Sequence, residues 1–505
     1  MNQIKTGAAL SYLSMALGYL IAIIYTPIML RLLGQSEYGL YNLVASIVSY
    51  LGVLNFGFGS AYIRYYTGYK VNNDQHNIAK LNGMFLIIFT VIALIATFAG
   101  IILVINTEII LGSELTIQEL SRAKYLMAIM VFNIALSFPN IVFHSHITAN
   151  EKFIFQKTLE MLRVVANPFL VLPLLLLGYG SIGLVIGMTT VNILIEISNA
   201  IYCFKKIKIK FSFSKFDIPL MIEMTIFSSY IFINMVVDQI NWNIDKFILG
   251  RFHGTLSVAI YGLAAQLLNY YRNLSVAVSS VFIPRVHQIV AKNKNSIDLD
   301  LLFNKIGRIQ FMILALLSLL IIFFGKEFIR LWAGNNYSDS YPILILLTIP
   351  TLIPLIQNIG IEIQRALNLH KFRSWLYLFI ALGNIAITIP LAKAYAGFGA
   401  ALGTAITQIV GNTIIMNIYY AKIIGLDMKY FWKNIFKFVP SLLIPILLGI
   451  LINCCIDLSK LKSFIFMGIL YVFIYFISMW LIGMNSNEKN LLIIPAKKLL
   501  KKLKK

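Results

Sequence analysis

Leu33-Gly34, followed by Tyr38-Gly39-Leu40, returns as Leu249-Gly250 followed by Tyr261-Gly262-Leu263. Ala149-Asn150-Glu151-Lys152-Phe153 has a looser echo in Asn368-Leu369-His370-Lys371-Phe372. Gly178-Tyr179-Gly180, then Gly183, returns as Gly397-Phe398-Gly399, then Gly403. The offsets are 216, 219 and 219 residues, in one order along the chain. Three such landmarks argue for two homologous halves. Each half is full of apolar runs long enough to cross a bilayer, and duplicated membrane halves with a site between them are a transporter pattern.

Composition agrees. Hydrophobic residues make up 59% of the chain, charged residues 12%, and mean hydropathy is +0.82. Soluble domains carry about a quarter charged residues. The net charge of +22 lies in short loops between apolar spans rather than on one soluble face, so a positive-inside bias accounts for it and a nucleic-acid groove does not.

Apolar runs of about 20 residues predict an all-α polytopic membrane protein of about fourteen spans. They lie near 6–30, 38–62, 82–105, 122–147, 153–177, 180–204, 217–240, 257–284, 306–329, 342–364, 374–395, 398–420, 434–455 and 463–483. The runs are continuous rather than alternating, which excludes barrel strands. With both termini in the cytoplasm, 30 of the 42 Lys and Arg lie inside or in the termini, ten lie outside, and Arg163 and Arg272 lie within spans. Outer loop 106–121 holds Glu108, Glu114 and Glu119 and no basic residue. Six spans per half is an even number, so the halves insert the same way up as parallel repeats. The expected division is an N-terminal lobe at 1–216, a C-terminal lobe at 217–429, two further helices at 430–483 and a basic cytoplasmic tail at 484–505. The first span is too long for a signal-peptide core and carries a repeat landmark, so it is read as structural.

Leu32-Leu33-Gly34-Gln35-Ser36-Glu37-Tyr38-Gly39-Leu40-Tyr41 resembles the first outer loop and second helix of polysaccharide-repeat flippases. Phe56-Gly57-Phe58-Gly59-Ser60-Ala61 with Arg64, Glu151-Lys152-Phe153 and Asp245-Lys246-Phe247-Ile248-Leu249-Gly250 are similar to patterns of the same family. The chain thus resembles the Wzx-type O-antigen and capsule flippases of the multidrug/oligosaccharidyl-lipid/polysaccharide exporter superfamily, over essentially its whole length. Asn55 departs from the pattern, in which an acidic residue precedes Phe-Gly in many relatives. The resemblance implies a polyprenyl-pyrophosphate oligosaccharide as cargo, a bacterial cytoplasmic membrane as location, and other polysaccharide-assembly membrane proteins as partners. It also implies a groove for the polyprenyl tail at helices thirteen and fourteen.

Such a cargo needs a shielded polar path with cationic groups, because an ion crosses hydrocarbon at prohibitive cost. Arginine suits pyrophosphate through its charged, planar fork. Arg272 sits mid-span with no acidic residue in its own span, and binds pyrophosphate or pairs with another helix through Asp238. Arg163 binds ligand or pairs locally with Glu160 at i, i+3 spacing. Arg64, near the inner end of its helix, is an anchor to lipid headgroups or a pyrophosphate contact. Three carboxylates are candidates for coupling to H⁺ or Na⁺: Glu196, the deepest, with Asp238 and Glu223 nearer the span ends. The alternative for Glu196 is a structural role, held by Asn192 or Asn199.

Other signals carry less. Asp298-Leu299-Asp300 has the form of a transferase metal motif but falls in a short predicted loop, and His144 and His146 fall on different helix faces. No phosphate-binding loop is present, so ATP does not drive this chain directly, and no cofactor or metal is expected. Cys203, Cys454 and Cys455 build no disulfide framework. Pro27, Pro139, Pro168, Pro173, Pro350 and Pro354 lie inside spans, where each removes a backbone hydrogen bond. The tail Lys497–Lys505 reads as a short amphipathic helix on anionic lipid. Three functions remain in play: a lipid-linked oligosaccharide flippase, a multidrug or cation antiporter, and a membrane-embedded polysaccharide polymerase or ligase. The last typically needs a large outer loop, and every predicted outer loop is short.

Overall fold

The computed structural model describes residues 3–112, 114–213, 216–293, 296–369, 371–490 and 493. Among the described residues there are helices and turns and no strand. The first stretch runs α1 (Gln3–Leu33), α2 (Gln35–Val48), a 3-10 segment Ser49–Asn55, α3 (Phe58–Val71), α4 (Gln75–Ile105), α5 (Thr107–Leu111), α6 (Ile117–Ala149), α7 (Phe153–Leu176) and α8 (Gly180–Tyr202). Next come α9 (Ile218–Ser280), α10 (Ile283–Asn293), α11 (Ser296–Ala333), α12 (Ser340–Ile356), α13 (Ile359–Ala366) and α14 (Lys371–Thr407). After α15 (Met416–Tyr419) follow α16 (Met428–Phe436), α17 (Val439–Cys455) and α18 (Leu461–Ser478).

Helices dominate because a chain in hydrocarbon must satisfy its own backbone. Ten are long and apolar enough to cross a membrane, and twelve if each bent pair, α12 with α13 at 44° and α16 with α17 at 41°, makes one span. Two of the long helices contain breaks, α9 at Gly254 and α14 at Tyr395 and Ala396. These breaks fall at the boundaries expected between spans seven and eight and between eleven and twelve. The expected fourteen spans are consistent with this arrangement. Large side chains such as Leu94 (66% exposed) and Phe98 (68%) point outward, as on a lipid-facing surface.

Left-handed backbone recurs along the chain as the sequence landmarks do. Gly34 (φ 76°, ψ 167°) matches Gly254 (φ 71°, ψ −171°), 220 residues on. Glu151 (φ 55°) matches Asn368 (φ 59°) at 217, and Gly178 (φ 84°) matches Ala396 (φ 48°) at 218. Lys208 (φ 60°) and Gly425 (φ 81°), 217 apart, each end a five-residue π-helical turn, Cys203–Ile207 and Tyr420–Ile424. Gly34 therefore corresponds in conformation to Gly254 and not to Gly250, which lies inside α9.

Packing divides the chain into two compact units, residues 1–262 with 384–400, and 263–383 with 401–505. The first has its core at Tyr62, Phe85, Phe89 and Phe138. At one end of this unit the Gln35-Ser36-Glu37 segment acts as a tie. Ser36 Oγ donates to Glu119 Oε1 at 2.6 Å, Glu37 pairs with Arg122, and the Ser181 backbone N–H donates to Glu37 at 2.9 Å. Glu119 also closes a capping box with Thr116 at the start of α6. Asp217 caps α9 through the Leu220 N–H at 3.1 Å and meets Lys80 at 3.0 Å. The backbone bond first, then Lys80, holds its carboxyl below the usual carboxylate range.

The second unit has a core of Phe324, Phe438, Tyr471, Tyr475 and Met479. A buried ion pair fastens its C-terminal helices. Arg308 on α11 donates to Glu488 at 2.5 and 3.0 Å, to the Asn434 carbonyl at 2.6 Å and to the Gly483 carbonyl at 3.0 Å. Its guanidinium also lies 4.1 Å from the Phe438 ring centroid.

Several sequence expectations need correction. The span expected at 38–62 runs to Val71 and is broken at Phe56 (φ 50°) and Gly57 (φ 71°). There Asn55 Oδ1 accepts from the Gly57 N–H at 2.7 Å, which gives the departing Asn55 a turn-forming role. The outer loop expected at 241–256 is helical up to the Gly254 break, because Gln239–Gly250 continues the apolar pattern of α9. The inner loop expected at 285–305 is mostly helix, and Asp298-Leu299-Asp300 forms the first turn of α11 with Leu299 buried. Glu488 is buried against Arg308 rather than solvated in a tail. The rest of the tail, including Lys497–Lys505, lies outside the described residues.

Candidate functional site

The polar side chains of α6, α7 and α8 share faces. Asn133 and Ser137 are four apart on α6, Arg163 and Asn167 are four apart on α7, and Thr189, Asn192 and Glu196 follow at three and four on α8. Packed together with Tyr41 and Ser49 from the second span, these faces enclose a cavity of about 490 Å³ in the first unit. Asn133 Nδ2 donates to Thr189 Oγ1 at 3.1 Å on its wall. The lining is amides, hydroxyls, one guanidinium and one carboxylate, a set suited to sugar hydroxyls and a charged group. The volume falls within the usual range for small-molecule sites.

Arg163 and Glu196 meet here. Their charges act on one another across the cavity, while no hydrogen bond or ion pair closes between them among the described residues. The expected Glu160–Arg163 pair does not form. Glu160 instead takes Lys157 at 2.7 and 3.0 Å, because the compact ammonium one turn earlier reaches both carboxylate oxygens. Asn199, expected to hold Glu196, donates to Asn140 Oδ1 at 3.5 Å. Glu196 Oε2 and Asn167 Oδ1 are buried without a hydrogen-bond partner among the described residues, ready to accept from a ligand.

The remaining predicted residues lie elsewhere. Arg64 is exposed, its guanidinium 4.6 Å from the Phe227 ring centroid, and the neighbouring Tyr65 hydroxyl bonds Glu223. Arg64 and Glu223 thus belong to one surface cluster. Asp238 is exposed on α9 and belongs to the first unit, whereas Arg272 is half-buried on α9 in the second. Beside Arg272, the Tyr271 hydroxyl meets Ser318 Oγ at 3.0 Å. Tyr270 and Tyr271 also line an apolar groove of about 570 Å³, walled by α11 through Leu320 and Phe324 and by α18 through Phe464 and Ile469.

Sequence reasoning missed two features. The polar stripe on α6, α7 and α8 was visible as three- and four-residue spacing of Asn, Ser and Thr within apolar runs. Asp245 was assigned to a loop, yet it is 2% exposed and accepts from the Tyr261 hydroxyl, with the adjacent Lys246 Nζ 3.4 Å from Asn42 Oδ1. Among the described residues no group of three His, Cys, Asp or Glu is placed to hold a metal.

An all-helical multi-pass fold with a mixed polar cavity inside a helical unit defines a membrane protein of the transporter type. The profile of the polysaccharide biosynthesis protein family matches residues 4–290, and the chain belongs to that family. A Shigella flexneri protein named as an O-antigen transporter is 20% identical over 414 residues, covering 80% of this chain and 94% of that protein. The membrane protein EpsK of Bacillus subtilis (strain 168) is 21% identical over 479 residues, covering 93% of each. Among solved structures, the lipid II flippase MurJ in an inward closed conformation superposes with a TM-score of 0.72 at 19% identity, covering 94% of this chain and 97% of that one. A multidrug resistance MATE transporter of the MOP superfamily superposes at 0.59 with 15% identity, covering 79% and 92%. These likenesses establish the fold of that superfamily.

Proposed function

We propose that the chain flips polyprenyl-pyrophosphate-linked oligosaccharide repeat units across the bacterial cytoplasmic membrane for cell-surface polysaccharide synthesis. The observation that carries this reading is the cavity holding Arg163, which Glu160 leaves unneutralised because Lys157 has taken it. Arg163 offers pyrophosphate a bidentate, permanently charged donor, while Asn133, Asn167, Thr189 and Asn192 meet the first sugars. The apolar groove beside α18 receives the polyprenyl tail, and Arg272 lies next to the groove's tyrosines. The two six-helix lobes, 1–216 and 217–429, work by alternating access, a reading supported by the left-handed residues that recur at 217 to 220 residues. Both termini face the cytoplasm, and polysaccharide-assembly proteins of the same membrane supply and consume the cargo.

The sequence holds no nucleotide site, so an ion gradient or the membrane potential drives the cycle. Glu196 faces the cargo's phosphate site, so its protonation or Na⁺ ligation changes the affinity of Arg163 for an anion. Glu223 and Asp238 stand as secondary coupling candidates, and Arg64 as a headgroup contact.

The MATE-like fold and the partnerless Oε2 of Glu196 favour a second reading, an antiporter of cationic compounds. A proteoliposome assay separates the two. Flipping of a labelled polyprenyl-pyrophosphate oligosaccharide by the wild type, lost in Arg163→Ala, supports the flippase. Uptake of a cationic dye that survives Arg163→Ala and fails in Glu196→Gln supports the antiporter.

A further inference from the structure

The second unit contains another recess, of about 540 Å³, lined by Leu369, Phe372, Ile415, Ile418, Tyr419 and Ile423, with Lys422 among the lining residues. Its floor is held in place. The Phe372 and Tyr419 rings stack at 4.3 Å, and the Tyr419 hydroxyl donates to the Leu369 carbonyl at 2.7 Å. Its rim is apolar and open, with Ile418 51%, Ile423 58% and Phe372 43% exposed. Such a surface matches an acyl chain.

The charge beside it matches a phosphate. Lys422 is exposed at the end of a π-helical turn, and α16 follows a few residues later. Met428, Phe431, Asn434 and Ile435 face inward from α16, while Lys429, Lys433 and Lys437 lie exposed at four-residue spacing with Tyr430 and Phe436 beside them. Trp432 Nε1 donates to Asn417 Oδ1 at 2.8 Å and so fixes this basic helix to the segment that walls the recess. The nearest acid, Asp427, is spent capping α16 through the Tyr430 N–H at 2.8 Å. Among the described residues no ion pair engages Lys422, Lys429 or Lys433. An apolar slot with unneutralised lysines and interfacial aromatics is complementary to a lipid with an anionic headgroup.

We propose that this recess binds one anionic glycerophospholipid, an acyl chain against Phe372, Ile418 and Ile423 and the phosphate at Lys422, with Lys429 and Lys433 completing the headgroup site. The lipid is distinct from the cargo assigned above to the Arg163 cavity and the α18 groove.

Native mass spectrometry of the full chain released from nanodiscs tests the site, using phosphatidylglycerol and phosphatidylcholine with identical acyl chains. The wild type should retain phosphatidylglycerol preferentially, and each lysine changed to Gln at 422, 429 or 433 should weaken that preference by roughly fivefold. Ile418→Trp, which fills the slot, should lower retention of both lipids and leave their ratio unchanged. Equal retention of the two lipids by the wild type, or an undiminished preference in the triple lysine variant, would overturn the proposal. Displacement of phosphatidylglycerol by polyprenyl pyrophosphate at equal concentration would reassign the recess to cargo and overturn it as well. Transport is not the readout, so failure here is separable from failure of the flippase reading.

Discussion

At the scale of single residues, function turns on two opposite charges facing one cavity without closing on each other. Loss of a charge-assisted hydrogen bond to phosphate amounts to about 1.5–3 kcal/mol, so Arg163→Ala should lower transport roughly 10- to 150-fold at unchanged protein level. Arg163→Lys should restore only part, since an ammonium lacks the fork. Flipping rates in proteoliposomes check both, and a wild-type rate in Arg163→Ala would remove the arginine from the cargo path. Glu196→Gln keeps the side chain's shape and deletes its ionisation. It should bind cargo yet lose the pH or Na⁺ dependence of transport, and an unchanged dependence would assign Glu196 to packing. Both residues were legible in the sequence as charges inside apolar spans. Their meeting was not, because it depends on how α7 packs on α8. The local rule misled: i, i+3 spacing favoured Glu160 with Arg163, yet Lys157 stands at the same spacing on the other side and takes the carboxylate. Asp245 escaped notice for a related reason, since a short polar run reads as a loop until the helix is seen to continue through it.

At the scale of elements, the breaks and the staple carry the argument. Gly34 has φ 76° and ψ 167°, and a Cβ there would meet nothing within 4 Å. Gly34→Ala therefore probes backbone strain alone and should destabilise by about 1–3 kcal/mol. Denaturant titration of the purified protein checks this, and an unchanged midpoint would deny the left-handed start of α2. The Arg308–Glu488 pair is 8% and 4% exposed at its side chains. Removing one partner strands a buried charge, so Glu488→Leu should cost about 3–5 kcal/mol, while Arg308→Met with Glu488→Leu should recover most of it. A double variant no more stable than the single one would show that the carbonyl bonds of Arg308, rather than its pairing, hold the C-terminal helices. The sequence made the long spans plain because twenty apolar residues admit few alternatives. It hid the breaks at Phe56 and Ala396, where residues with a Cβ adopt positive φ, and it hid the staple, because Glu488 follows the last apolar run and looks like tail.

At the scale of the whole molecule, recurring left-handed residues and a lysine-rich side frame a duplicated transporter inserted with its termini inward. Tags at either terminus should resist labelling from outside intact cells, and a tag in loop 106–121 should be labelled; the reverse pattern would invert the orientation and the loop assignments with it. Direction of insertion was readable from charge because lysine and arginine resist translocation. The cavity was not, since it arises from the joint packing of α2, α6, α7 and α8. The central claim is that this protein moves a pyrophosphate-linked glycan through a site containing Arg163. The most direct test is a flipping assay in proteoliposomes with a fluorescent polyprenyl-pyrophosphate oligosaccharide, under an imposed ion gradient, comparing wild type with Arg163→Ala. The account predicts that the wild type transfers the label to the far leaflet and that the variant, equally abundant and equally folded, does so at a small fraction of that rate. Equal transfer by both, or none by the wild type under any gradient, would contradict it.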